Sequence, residues 1–455
     1  MNKNILIVLF GGVLMAALDI AIIGPAMPAI QQPFNISDRD LPWMINIYIL
    51  SNLAFSPLLA KLSDLYGRRN VYLFAISLFL LGSIVVSLAQ NYEFILIGRS
   101  IQGIGAGGII PVASAVIGDT FPREKQGRAL GLIGAVFGIA FVLGPIVGGL
   151  LLMLNWRLIF LINIPMSIAV IYGAIKLLPQ RKNDSPRKID YVGLLLLIIS
   201  LTGFSWAINH LEPKNLLNSF LSIHVLPTLI VSLVLIPIFF YSQIKSKNPI
   251  MKPELFTKKQ LLITYVISFT AGLGTIAVMY LPALTRLNFG YTMAKSSLML
   301  TPLALTLVIG APTAGRLIDK FGSKIVINIG IALIAIGLFT IYLKSGNLIT
   351  FYIADVFLGF GLAFMVGAPL RYIVNQETTT EDRASGQSLL SIFDSTGKLT
   401  IAALMGSLIY GMGGGVKGYE LAFLVLFIVS LLVFTISFGL KSRKNEMQST
   451  ENKEG

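Results

Sequence analysis

The chain has 455 residues, of which 55% are hydrophobic and only 12% charged. Together with a mean hydropathy of +0.80, this composition excludes a soluble globular protein and indicates an integral membrane protein. Because the sequence has no cysteine and only two histidines, a disulfide framework and a Cys/His metal site are also excluded.

Apolar runs recur from end to end and stay apolar for about 20 residues, the length of a membrane-spanning helix and not of a barrel strand. We predict fourteen spans, the first of which begins near Ile5 and is retained in the protein instead of being cleaved as a signal peptide. They are centred near residues 14, 52, 80, 105, 140, 167, 200, 232, 272, 305, 334, 360, 398 and 429.

The formal net charge of +14 is explained by membrane topology and does not predict nucleic acid binding. Most basic residues fall in the loops after even-numbered spans and in the two tails, with Arg68, Arg371 and Arg383 among the loop residues. Loops rich in Lys and Arg face the cytoplasm, so both termini are predicted to be cytoplasmic in a multi-pass protein of the cell membrane.

The first two spans contain the leading candidates for a site inside the membrane. Asp19 lies in the first span, within LDIAIIGPAMPAI, and Tyr48 lies in the second, which begins PWMINIYIL. An acid inside an apolar span is by default a functional-site hypothesis, and here it predicts a residue that gains and loses a proton. The alternative is a carboxylate near a helix end that stays in water.

The loop after the second span, LSDLYGRR, combines Asp64, Gly67, Arg68 and Arg69. The same Asp-x-x-Gly spacing recurs in GRLIDKFGSK of the second half, where Asp319 and Gly322 match Asp64 and Gly67. A basic loop that only sets topology explains the arginines but not this repeat. The repeat therefore predicts two duplicated halves.

The fourth span, GRSIQGIGAGG, carries Arg99 and Gln102. The number of residues between Arg99 and Asp355 is almost the same as that between Asp64 and Asp319, so Arg99 corresponds to Asp355 of the second half. A cation inside a span predicts a functional site, with snorkelling to the outer interface as the alternative. Opposite charges from the two halves are thus expected near the midplane.

The fifth span, GAVFGIAFVLGPIVGGLLL, is apolar but rich in residues that disfavour helices. Glycines let a neighbouring backbone approach closely, and proline removes a backbone donor, so the span is predicted to be a close-packed, bendable contact. Its key residues are Gly144, Pro145, Gly148 and Gly149.

The thirteenth span contains Asp394 and Lys398, four residues apart on one helix face. The two side chains either neutralise each other, or Asp394 is a second protonation or cation site.

The repeat leaves two spans unmatched, which predicts six plus two plus six helices. The expected division is 1–180 for a first six-helix bundle, 181–250 for two additional helices with basic linkers, 251–441 for a second bundle and 442–455 for a cytoplasmic tail.

These motifs resemble those of the major facilitator superfamily. LSDLYGRR is similar to its loop between spans two and three, GRSIQGIGAGG to its span-four signature, and the fifth span to the motif of its proton-coupled antiporters. The first two spans resemble those of its fourteen-span drug:proton antiporters. The resemblance implies an all-α fold of two pseudo-symmetric six-helix bundles plus two central helices.

It also implies a secondary transporter, not an enzyme, that exports amphipathic, cationic drugs or toxic compounds in exchange for protons. Protons are the coupling ion with no other cofactor or metal, and the protein is expected to be a monomer in the lipid bilayer. One alternative is a proton-coupled exporter of a dedicated metabolite, such as an amino acid, siderophore or sugar. A membrane-embedded enzyme is a remote alternative, because no Gly-x-Ser-x-Gly, His-Glu-x-x-His or nucleotide-loop motif is present.

Overall fold

The computed structural model describes residues 3–34, 36, 43–180, 190–212, 215–247, 249–291, 293–443 and 446. Within these residues the regular structure is helical, with no strand. The all-α class is therefore confirmed.

The N-terminal half comprises the first seven helices. They are α1 (Lys3–Phe34), α2 (Trp43–Tyr66), α3 (Arg68–Ser87), α4 (Tyr92–Thr120), α5 (Arg123–Leu152), α6 (Leu158–Leu161) and α7 (Asn163–Leu177).

Three helices follow between the halves: α8 (Tyr191–Asn209), α9 (Leu216–Phe220) and α10 (Leu226–Lys245). The C-terminal half comprises α11 (Glu254–Thr257), α12 (Lys259–Phe289), α13 (Met293–Leu298), α14 (Thr301–Phe321), α15 (Ser323–Lys344), α16 (Leu348–Leu362), a π-helical segment (Ala363–Gly367), α17 (Ala368–Glu377), α18 (Arg383–Gly411) and α19 (Val416–Ser437).

Thirteen helices among the described residues are long and apolar enough to cross a membrane. Thirteen of the fourteen predicted spans match them, and the remaining one, near residue 140, corresponds to α5. Several side chains of α5 lie outside the described part of the chain, and α5 is not among the thirteen. The first boundary of the predicted division, at 180/181, falls at the edge of the undescribed residues 181–189, and that division stays a prediction.

The predicted repeat is visible in the backbone. Gly67 joins α2 to α3 with φ 91°, and Gly322 joins α14 to α15 with φ 86°. Both angles lie where a side chain is disfavoured, so glycine permits the tight reversal between two spans. The two halves therefore turn at equivalent positions in the same way.

The glycines of α5 allow α1 to approach this span closely. A Cβ atom added to Gly144 would lie 2.6 Å from Ala21 Cβ, and one added to Gly148 would lie 2.9 Å from Ile22. Such distances leave no room for a side chain on α5, so the side chains of Ala21 and Ile22 on α1 pack directly on the α5 backbone there. Gly149 differs, since nothing lies within 4 Å of its added Cβ.

The predicted close packing thus holds for Gly144 and Gly148 but not for Gly149. Pro145 lies in α5, but its side chain is outside the described residues. Nearer its start, α5 packs against α14 of the other half, where Gly131 and Gly315 approach each other. One helix therefore contacts α1 of its own half and the opposite half as well.

The halves also meet where α2 packs on α18. The pair α8 and α10 lies beside this contact, since the two helices pack on each other and α8 also touches α2 and α18. The hydrogen bonds between the halves concentrate at the end of the bundle that carries Arg68 and Arg383, which we name the basic end.

Candidate functional site

Asp19 and Arg99 form an ion pair inside the N-terminal half. Arg99 Nη1 on α4 donates to Asp19 Oδ2 on α1 at 2.5 Å. Only 2% of Asp19 and 1% of Arg99 is exposed. The alternatives of an acid held in water and a snorkelling arginine therefore do not describe this structure.

Three further groups surround this pair. Gln102 Nε2 and Asn163 Nδ2 donate to Asp19 Oδ1 at 3.3 and 3.0 Å. The guanidinium carbon of Arg99 lies 4.5 Å from the ring centre of Tyr48, a cation–π distance. The site thus joins α1, α2, α4 and α7 around one carboxylate.

Sequence reasoning identified Asp19, Arg99, Gln102 and Tyr48 but missed Asn163. A neutral amide at the start of α7 carries no charge to mark it, although it is 1% exposed within an apolar helix. A buried polar side chain needs a partner, and that requirement is the signal that could have identified Asn163.

Asp355 does not meet Arg99. It is fully buried on α16, and neither carboxylate oxygen has a hydrogen-bond partner among the described residues. The pseudo-symmetric positions therefore differ in environment: Arg99 is paired within its own half, whereas Asp355 is enclosed by the helices that pack on α16, chiefly α14 and α15. Its role in coupling stays a prediction.

Asp394 and Lys398 neutralise each other along α18, with Lys398 Nζ 2.7 Å from Asp394 Oδ2. Arg371 requires a correction, because the sequence assigned it to a cytoplasmic loop. It lies within α17 and reaches across to α4, where its Nη1 is 3.5 Å from Ser114 Oγ. Helix α17 continues a span, and its basic side chain is directed into the junction of the halves instead of into a loop.

A network of charged side chains closes the basic end. Asp64 accepts hydrogen bonds from the backbone N–H groups of Ala384 and Ser385, at 3.2 and 3.0 Å. These residues start α18, so a carboxylate of one half caps a helix of the other, where the helix dipole favours negative charge. Arg68 forms ion pairs with Asp64 and with Asp119, the latter at 2.9 Å.

Asp119 in turn pairs with Arg383, so the network alternates acid and base across the two halves. Arg69 stays outside it and donates to Gln180 at the exposed surface. Asp119 and Arg383 were not predicted as site residues from the sequence, because charges near helix ends look like ordinary topology determinants.

Asp319 repeats the arrangement of Asp64 with the halves exchanged. Its two oxygens accept from the N–H groups of Gly127 and Arg128 at 3.0 and 3.1 Å, near the start of α5. Each Asp-x-x-Gly loop therefore binds backbone N–H groups in a helix of the opposite half. Asp64 does so at the first turn of α18 and Asp319 at the second turn of α5. No cluster of His, Cys, Asp or Glu able to hold a metal occurs among the residues that the structure describes.

Comparison with known proteins agrees with this architecture. A profile of the Major Facilitator Superfamily matches residues 9–305 and 261–455. The uncharacterized MFS-type transporter YfiU of Bacillus subtilis is 35% identical over 399 residues, which are 86% of this chain and 76% of that protein. Multidrug resistance protein 3 of the same organism is 30% identical over 340 residues, covering 74% of this chain and 65% of that protein.

Among solved structures, the human organic anion transporter MFSD10 (TETRAN) superposes with a TM-score of 0.74 over 96% of this chain and 99% of its own. The identity is 15%, so this similarity concerns the fold alone.

Proposed function

The chain belongs to the Major Facilitator Superfamily of membrane transporters, and from that premise we propose that it exports amphipathic compounds in exchange for protons. Its relatives include proteins named for multidrug resistance and for multidrug transport, which supports a multidrug efflux role. We propose protons as the only coupling ion, a monomer as the working unit, and the basic end as the cytoplasmic end.

The observation that carries the proposal is the buried pair of Asp19 and Arg99. Protonation of Asp19 would remove its charge and leave Arg99 uncompensated in a dry environment, where an unpaired charge is costly. Arg99 would then have to move to new partners. Proton uptake would thereby be tied to a rearrangement of α4 against α1.

Alternating access needs the halves to separate at one end while they close at the other. The carboxylates of Asp64 and Asp319, each bound to the opposite half, support a state closed at the basic end. The return to an inward-open state would break these bonds. In this scheme the proton site in the N-terminal half and the loop contacts change in the same cycle.

The resemblance implies cationic substrates, with Asp19 as the counter-charge. In the conformation described, Asp19 is already neutralised by Arg99. A cation would therefore bind Asp19 only after Arg99 has left it.

The experiment is proton movement in inverted membrane vesicles that hold a pH gradient. Tetraphenylphosphonium and pyrenebutyrate serve as a cationic and an anionic probe, added to wild type and to Asp19→Asn. We expect a probe to collapse the gradient in wild type and not in the variant, with probe binding retained. No proton response to either probe, or an unchanged Asp19→Asn variant, would contradict the proposal. Arg69→Gln, at the exposed surface, is the control.

A further inference from the structure

Arg371 on α17 interacts electrostatically with Asp394 on α18, near the junction of the halves. Asp394 is itself paired with Lys398, one turn further along α18, so only two of these three charges neutralise each other. We propose that Arg371 and Lys398 bind an anionic group, such as a carboxylate, of the exported compound. This inference rests on the proposed export function and specifies its substrate class.

The first step is their position. Gln387, Asp394 and Lys398 are seven and then four residues apart, so they share one face of α18. Gln387 Nε2 donates to the Arg371 carbonyl at 2.8 Å, and Arg371 Nη1 reaches Ser114 of α4. This face therefore points at α17 and α4, toward the junction of the two halves.

The second step is depth. Asp394 follows Arg383, the first residue of α18 at the basic end, by eleven positions, which is roughly 16 Å along a helix. That distance is about half of the hydrocarbon thickness. Yet the side chains of Asp394 and Lys398 are 24% and 32% exposed, so they are not sealed within the packed core.

The third step is charge. Asp394 is bonded to Lys398 at 2.7 Å, whereas Arg371 donates only to the neutral oxygens of Gln387 and Ser114, at 3.1 and 3.5 Å. Asp19 is already paired with Arg99 in the other half. Two cations and one acid thus leave one positive charge in excess at the junction.

Asp355, which lies in the same helical span as Arg371, does not correct this imbalance. Asp355 forms no ion pair among the described residues. It also precedes Arg371 in one continuous helical span by roughly 24 Å of helix rise. The excess charge therefore belongs to Arg371 and its neighbours.

The fourth step is geometry. Both hydrogen bonds of the Arg371 side chain start from Nη1. Within the described part of the chain, Nε and Nη2 make no hydrogen bond. These two nitrogens form one edge of the planar guanidinium, the fork that holds a carboxylate through two parallel bonds. An incoming anion would thus find paired donors as well as the excess charge.

The test is direct binding to purified protein in nanodiscs, with empty nanodiscs subtracted. Three fluorescent probes share one apolar body: pyrenebutyrate, its uncharged amide, and pyrenylbutyl-trimethylammonium. We expect wild type to bind the carboxylate at least about tenfold more tightly than the amide, as for a charge-assisted bond. Equal binding of carboxylate and amide, or tighter binding of the ammonium probe, would overturn the inference.

The variants separate a binding role from a structural one. Arg371→Gln and Lys398→Gln are expected to abolish the preference for the carboxylate, and Arg371→Lys to retain part of it because it keeps the charge but loses the fork. Asp394→Asn removes the competing acid and should strengthen carboxylate binding. A change of carboxylate affinity in the same direction in Arg371→Gln and in Asp394→Asn would refute the proposal.

Arg286→Gln, at the exposed outer end of α12, is the matched control. If Arg371→Gln does not fold, Lys398→Gln and Asp394→Asn still decide the outcome, since opposite effects are expected from them. Binding is measured without a proton gradient, so a failure of proton coupling leaves this result unaffected and appears only in the Asp19→Asn experiment.

Discussion

Replacing Asp64 by Asn is expected to open the basic end of the protein. Asp64 is 5% exposed, and it accepts three hydrogen bonds from Ala384 and Ser385 of the opposite half at 2.6 to 3.2 Å. The substitution removes the charge, leaves one neutral acceptor oxygen, and turns an NH₂ group toward a backbone N–H. Arg68 still has Asp119 as a partner at 2.9 Å, so no cation is left unpaired.

The magnitude follows from these bonds. A hydrogen bond to a charged acceptor contributes about 1.5–3 kcal/mol and a neutral one about 0.5–1.5 kcal/mol. The variant replaces two bonds from N–H groups to a charged carboxylate by one bond to a neutral amide oxygen. This change weakens closure by roughly 3 kcal/mol. Since about 1.4 kcal/mol corresponds to a factor of ten, the closed state loses roughly a hundredfold in population relative to the open one.

The assay uses the absence of cysteine from the chain. Ser388 is fully buried at the junction, and a single Ser388→Cys reporter can be labelled without background. In inverted vesicles, a membrane-impermeant maleimide reaches only the cytoplasmic end. Asp64→Asn should speed labelling by at least about tenfold, as should the pseudo-symmetric Asp319→Asn, whereas Arg69→Gln should not.

An unchanged labelling rate in Asp64→Asn would refute the idea that this carboxylate holds the halves together. An equal increase in Arg69→Gln would do the same, because it would show that any lost charge in the loop loosens the contact.

Three further predictions concern packing, closure and the C-terminal tail. Ser56 Oγ and Ser388 Oγ lie 3.1 Å apart across the halves. The double variant Ser56→Cys/Ser388→Cys should therefore cross-link on oxidation and lose transport until a reductant is added. Persistent transport by the cross-linked protein would exclude separation of the halves at this point. Gly144→Ala should lower the melting temperature, because overpacking lowers the free energy of unfolding by about 1–3 kcal/mol. Gly149→Ala should not, because its Cβ meets nothing within 4 Å. Equal melting temperatures of the two variants would contradict the packing argument. Burial raises the pKa of the Glu446 carboxyl, so its contact with Ser323 should be strongest at acidic pH and weaken as pH rises through the pKa of the buried carboxyl. A dye attached to a cysteine introduced next to Glu446 reports this change, which Glu446→Gln should abolish.

Much of the architecture could be predicted from the sequence because it depends on local properties. Apolar runs long enough to cross a bilayer specify helices, since backbone polar groups must be satisfied within each span. The recurrence of Asp64 and Gly67 as Asp319 and Gly322 revealed two related halves. Their equivalent turns in the structure, at φ 91° and 86°, confirm that interpretation.

The partners of the intramembrane charges could not be read from the sequence. Asp19 and Arg99 are far apart along the chain, and only the packing of α1 on α4 brings their side chains within 2.5 Å. Arg371 is the opposite case, since its sequence neighbours suggested a loop, and only its contact with Ser114 shows that it faces the other half.

The sequence by itself therefore determined that this protein is a helical membrane transporter with duplicated halves, and it marked the acids and bases that do not belong in lipid. The tertiary structure decided which of those charges are paired: Asp19 forms an ion pair with Arg99, whereas Arg371 forms none among the described residues. The physical reason is that hydropathy and motif spacing act along the chain. Whether a charge inside a membrane is compensated depends instead on distances of a few ångströms between side chains of different helices.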